Sequence, residues 1–210
     1  MSKTLPLLLF ASLSLHAAPI TVTHTFIGAG TLGGTEFPLS TIVFTGVGDT
    51  GNVLNDSPNV FELHHSSATI LIDGLGAFDV LTGTLSAVID FSTYATTVLN
   101  STSPGYAFDI LGGPYSASLV GYQLQTSIGP IDAPAMIFNM QANGLHSAML
   151  TSGGLLELSR DGITRPGSFQ VFVGNGPSNP GGSGEIPEPA TTTLLGFGLA
   201  ALAFARQRRH

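Results

Sequence analysis

The sequence predicts an all-β fold: an antiparallel β-sandwich or jelly-roll-like domain, flanked by an N-terminal signal helix and a C-terminal transmembrane helix. Three observations point there. Apolar residues recur at period two through the middle of the chain, in short runs separated by Gly, Pro, Asn and Asp. No stretch of that middle keeps a helical period for three turns without a Gly or Pro. Both ends carry an uncharged apolar run with basic residues on one side only.

The first element is the signal helix. Lys3 precedes an apolar run over residues 5–15, and the small residues Ala17 and Ala18 follow. That order is positive, apolar, then small, as a secretory signal peptide requires. A run of 11 residues is too short for a comfortable membrane span. Cleavage by signal peptidase after Ala17 is preferred, because a cut after Ala18 would leave Pro19 first. Residues 1–17 are therefore assigned to the signal peptide and 18–173 to the body.

The strands of the body follow. Ile20, Val22 and Phe26 share one face of the first, and Thr21, Thr23 and Thr25 the other. Tyr106, Phe108 and Ile110 alternate with Ala107 and Asp109. Val120, Tyr122 and Leu124 alternate with Gly121 and Gln123, and Met136, Phe138 and Met140 with Ile137 and Asn139. Phe169, Val171 and Val173 form the last set. Residues 68–72 and 85–91 are more continuously apolar, as in strands covered on both faces. Turn chemistry separates these runs at residues 49–52, 55–59, 103–105, 112–114, 129–134 and 165–167. About ten short strands at this spacing suit a sandwich or jelly roll.

Composition narrows the function classes. Charged residues are 9% of the chain and hydrophobic ones 43%, so charge-driven disorder is excluded. With no cysteine, thiolate metal sites, disulfides and thiol nucleophiles are excluded too. Residues 18–189 hold all 13 acids against Arg160 and Arg165, a formal charge of −11. Such a body repels nucleic acid and anionic membranes. Cationic partners, or divalent cations bridging to acidic polymers, remain compatible with it.

The far end has three parts. Residues 174–184 contain only Gly, Asn, Pro and Ser, so 174–185 reads as a flexible linker reaching roughly 18 Å. Ile186-Pro187-Glu188-Pro189 comes next. Residues 190–205 carry no charge and span about 24 Å as a helix, slightly short of a ~30 Å hydrocarbon core. Arg206, Arg208 and Arg209 close the chain and would hold that end in the cytoplasm.

This order over residues 186–210 resembles the PEP-CTERM sorting signal of Gram-negative bacteria, a segment also labelled an ice-binding protein C-terminal domain. Its elements are matched here by Pro187, Glu188 and Pro189, by the helix at 190–205 and by the arginine cluster. Ile186 replaces the commoner valine. The resemblance implies an exosortase-type sorting protease as partner. It also implies a precursor anchored transiently in the inner membrane, and a mature protein at the cell surface or in the extracellular polysaccharide matrix. The body resembles no specific family.

Searching the body for chemistry yields weak candidates. Gly28, Gly30 and Gly33, and again Gly46, Gly48 and Gly51, match G-x-G-x-x-G. Pro38 and Pro58 deny each the helix that a pyrophosphate site needs. His64 and His65 point to opposite faces of a strand and cannot share one metal. His24 falls on the apolar face of its strand, and His146 lies near a turn. Asp49, Asn52, Asn55 and Asp56 crowd one loop and are the calcium candidates, since calcium takes several oxygens; plain turn chemistry explains them as well. Asp73, Asp79, Asp90 and Asp109 lie in or beside strands, where a facing pair would suit glycoside cleavage. There is no nucleophile elbow. Thr21, Thr23 and Thr25 form a single row, too small alone to order an ice-like water lattice.

The expectation is therefore a secreted or surface-displayed, matrix-associated structural or binding protein without catalytic residues or cofactor. A secreted carbohydrate-active enzyme on the same fold and a calcium-dependent adhesive module are the alternatives. A flat face with Tyr94, Tyr106, Tyr115 or Tyr122 would favour sugar binding.

Overall fold

The computed structural model describes residues 17–93, 95–101, 109–138, 148–159 and 163–174. The signal helix, the transmembrane helix, the Pro187–Glu188–Pro189 motif and the arginine cluster lie outside the described residues, as do Tyr94, Tyr106 and His146. The chain divides into two units, Met1–Gly176 and Pro177–His210, and only the first contains described residues.

Its described part is antiparallel sheet with two single-turn 3-10 segments, Thr50–Asn52 and Ala117–Leu119. The longest strands come first. β1 (Pro19–Leu32) and β2 (Thr35–Asp49) pair along their whole length. Gly33 and Gly34 join them with φ of 56° and 81°, both positive, as a two-residue type I′ turn requires. Burial in β1 alternates at every position, with Ile20, Val22, His24 and Phe26 inward and Thr21, Thr23 and Thr25 outward. The period-two expectation for this strand matches its structure.

Five shorter strands follow: β3 (Val53–Ser57), β4 (Val60–His64), β5 (Ser67–Ile72), β6 (Gly76–Asp79) and β7 (Thr84–Asp90). Then come β8 (Ala95–Ser101), β9 (Asp109–Ser116), β10 (Ile128–Phe138), β11 (Ala148–Thr151), β12 (Gly154–Leu158) and β13 (Arg165–Val173). One hydrogen-bonded path runs β3-β4-β7-β8-β9-β10-β13-β1-β2-β5-β6.

The chain changes layer at His65 and Ser66. The His65 N–H extends the β4–β7 ladder to Thr84 O at 3.0 Å, and the next N–H, Ser66, begins the β2–β5 ladder on Val47 O at 2.7 Å. β4 and β7 therefore lie over β1 and β2, giving two layers joined by a continuous ladder. β1 also splits its partners. Residues 20–25 pair with β13, whereas Gly30–Leu32 pair with β12. β11 pairs with β12 and meets the chain just after β6, through Leu81 N to Leu150 O at 2.8 Å and the Val80–Thr151 bridge. Strands β1, β2, β5, β6, β11 and β12 thus close into a ring. Inside it sit Phe26, Ile42, Phe44, Ile70, Ile72, Met149 and Leu156. A second cluster, with Ile20, Val22, Leu63, Val88, Leu124, Phe169 and Val171, fills the space toward β4 and β7. Each fully buried side chain of this size contributes roughly 1.5–3 kcal/mol.

Five expectations need correction. Residues 120–124 are not a strand. Gly121 and Leu124 have φ of 72° and 58°, so the chain turns there and drops Leu119, Tyr122 and Leu124 into the second cluster. Residues 112–114 do not separate strands but lie within β9, where the register against β8 shifts between Ala95 and Thr97. Residues 129–134 likewise lie within β10, which has a bulge between Ile128 and Ile131 and regular pairing beyond it, and 165–167 begin β13. Bulges are where a strand tolerates Gly and Pro. Finally, β5 is covered on one face only: Ala68, Ile70 and Ile72 are buried while Leu71 is 47% exposed.

Candidate functional site

A buried polar cluster lies between the layers. His24 sits on the inward face of β1, 3% exposed, and its Nε2 lies 2.9 Å from Ser86 Oγ on β7. His65, at the layer crossing, has Nδ1 2.9 Å from Thr84 Oγ1, also on β7. Its Nε2 is sealed from solvent without a partner. Phe44 lies between the two imidazoles, edge-on to His24 at a centroid distance of 6.3 Å and tilted against His65 at 5.5 Å. Phe169 closes on His24 at 5.1 Å.

No carboxylate meets either buried ring among the described residues. Burial pushes the His24 imidazole down to about 3, with His65 a smaller cause. Burial pushes His65 down to about 4, with His64 a smaller cause. Both rings are therefore neutral at pH 7. Ser86 is fully buried, so the His24–Ser86 pair has the distance of a base and a nucleophile without access to a substrate. It ties the two layers together. His64 points the other way, exposed, with Nε2 4.0 Å from Glu62 Oε2. The two neighbouring histidines do face opposite sides. Sequence reasoning missed the meeting of His24 and His65; the available signal was a histidine on the apolar face of a strand.

The calcium candidates are placed as follows. Asp49 ends β2, and its Oδ1 accepts the Gly51 N–H at 2.8 Å, capping the 3-10 turn. Asn52 ends that turn, and Asn55 is exposed in β3 opposite Phe61. Asp56 is in β3, with its side chain outside the described residues. Among the described residues no group of three or more His, Asp and Glu is gathered as for a metal.

The candidate acids among the described residues have these surroundings. Asp90 is a clamp: its Oδ1 accepts Ser92 N–H at 2.6 Å and its Oδ2 accepts Gly121 N–H at 2.7 Å. Asp79 is level with Thr69, and Asp73 lies just beyond Ile72. Four residues of strand separate them, about 13 Å, beyond the ~5–9.5 Å of paired glycosidase carboxylates. The side chains of Asp109 and Tyr115 lie outside the described residues. Tyr122, which on an open face would have favoured sugar binding, is 8% exposed. Its hydroxyl donates to Thr126 O, and burial raises its pKa. Of the glycine matches, Gly28, Gly30, Gly46 and Gly48 are strand residues, with no helix following.

The sequence beyond β13 decides more than the body does. Residues 185–209 match the family model for the PEP-CTERM protein-sorting motif. The tail is a PEP-CTERM sorting segment. The PEP-CTERM motif implies export through exosortase-dependent sorting at the membrane, with an exosortase as the processing partner. No helix of the described residues is long and apolar enough to cross a membrane. No curated protein matches the chain, and no solved structure does.

Proposed function

We propose that the chain is an exosortase-sorted, matrix-associated protein whose β body has a structural or binding role outside the cell. The observation that carries this is the PEP-CTERM motif at residues 185–209, on a chain whose start reads as a signal peptide. Residues 1–17 are removed, 18–173 form the exported domain, 174–185 give the protease room, and 190–205 hold the precursor in the inner membrane. The arginine cluster at Arg206, Arg208 and Arg209 stays in the cytoplasm. The separation of Asp73 from Asp79 and the burial of Ser86 support a binding role over the carbohydrate-active enzyme.

Fractionation tests it. Replacing Pro187, Glu188 and Pro189 by alanines leaves the apolar span intact. The variant should stay with the inner membrane, while the parent reaches the cell surface or matrix. Equal release of both defeats the reading.

A further inference from the structure

The outward face of the β1–β2–β5 sheet is a lattice of small polar and aliphatic side chains. Register sets Thr23, Thr45 and Thr69 side by side, and Thr25, Val43 and Leu71 in the next row. Rows repeat at ~4.8 Å across strands and roughly 6.6 Å along them. The three-threonine row on β1 thus has lateral neighbours that a linear reading does not show. At one end this face dips into a groove of about 320 Å³, lined by Thr41, Val43, Leu71, Ile72, Asp73 and the turn glycines Gly74 and Gly76.

We propose that this groove binds a neutral polysaccharide strand lying across β2 and β5. Leu71 is 47% exposed in mid-strand, so a sugar's C–H face over Leu71 and Val43 would remove apolar surface from water. The Asp73 carboxylate is exposed, and among the described residues nothing bonds to it. It accepts hydroxyl donors, and such charge-assisted bonds are the stronger kind. Gly74 and Gly76 line the open end of the groove, where a Cβ on either meets nothing within 4 Å. Electrostatics selects the ligand. The rows carry no charge, Asp73 and Asp79 stand at the margin, and the body is strongly acidic. An anionic polymer is repelled, and a polycation finds only two carboxylates, about 13 Å apart, where it needs several. A neutral, hydroxyl-rich chain suits the chemistry.

This rests on the matrix-associated reading above and names its ligand class. The test titrates the ¹⁵N-labelled exported protein with cellohexaose, mannohexaose and hexagalacturonate. A neutral hexasaccharide should move the amides of Val43, Leu71 and Asp73. Hexagalacturonate should bind at least about tenfold more weakly, and Asp73→Asn should lose about tenfold for the neutral probe. Leu71→Ser should weaken binding too; both sites are exposed, so unchanged melting verifies the fold. No amide shift with either neutral probe overturns the proposal. So does equal binding of the uronate, or parental affinity in Asp73→Asn. Matrix fractionation, run in parallel, separates the two readings. Parent protein held in the matrix without probe binding leaves the role and removes the groove. Parent protein freely released removes the role, and the amide shifts alone then judge the groove.

Discussion

Gly46 and the His65 ring share one space: a Cβ built on Gly46 would lie 2.5 Å from His65 Nε2 and Cδ2. The glycine is thus a notch in β2 that admits an imidazole from the opposite layer. The same residue opens one of the G-x-G-x-x-G matches, and packing accounts for it fully. Gly46→Ala should destabilise the body by about 1–3 kcal/mol, the usual range for overpacking. Gly74→Ala, whose Cβ meets nothing within 4 Å, is the control, with only its φ of 83° to strain. Urea melts of the two variants give the comparison. A loss at Gly46→Ala below about 1 kcal/mol would mean that the notch is not tight.

Acid should loosen the domain through the same pair. In the unfolded chain His24 and His65 titrate near 6.5; folded, they titrate near 3 and 4. Above pH 6.5 both states are neutral there, and no stability is lost. Below it the unfolded state takes up protons that the folded state refuses. Stability falls by up to about 1.4 kcal/mol per pH unit for each histidine until the folded pKa is reached. Between pH 6 and 4 the loss is a few kcal/mol, a large share of the ~5–15 kcal/mol of a typical domain. Melting His65→Gln across that range should give a shallower slope than the parent. A parent slope of zero would show that the rings are not buried as neutral groups.

Sequence legibility followed the range of the interaction. β1 was readable because its two faces see different surroundings at every step, so Ile20, Val22 and Phe26 declare themselves. The sorting tail was readable because its parts are contiguous. Residues 120–124 misled because turn geometry can bury Tyr122 and Leu124 two apart without a strand; Gly121, at φ 72°, was the clue. Gly129 and Pro130 looked like a break because a bulge and a loop use the same residues. Nothing local couples His24 with His65, 41 positions apart in sequence and joined only by the fold across Phe44. The Asp73 groove was equally hidden, because its rows exist only once β1, β2 and β5 are in register.

Asp90 should prove structural rather than catalytic. It holds the N–H groups of Ser92 and Gly121, and the second anchors the loop that places Tyr122 and Leu124 in the core. Asp90→Ala removes two hydrogen bonds to a charged acceptor and should cost about 1–3 kcal/mol. Amide exchange over residues 117–127 should quicken more than in β1. Uniform protection across both segments would show that the clamp is dispensable.

Calcium should shift the melting temperature little. Asp49 already spends Oδ1 on the Gly51 N–H, and that bond must be surrendered or shared for a cation to bind. A tight ion stabilises in proportion to the logarithm of its concentration over its dissociation constant. Melts in millimolar calcium and in chelator measure this directly. A shift of many degrees would make the loop a calcium site, with Asp49 and Asp56 the first residues to mutate.

The tail should behave as a removable address. Its apolar stretch of 16 residues is short for a bilayer, and its arginines lie on one side only. A linker of Gly, Asn, Pro and Ser precedes it, so a protease can reach Pro187–Pro189 while the folded strands stay paired. Protein released from a host with the sorting protease should therefore lack Arg206 to His210, and mass spectrometry of the released material reads this directly. In a host without the protease the arginines should persist and the chain should remain in the inner membrane. An intact C-terminus on released protein would mean that the segment is not processed, and removal of the anchor could no longer explain the release.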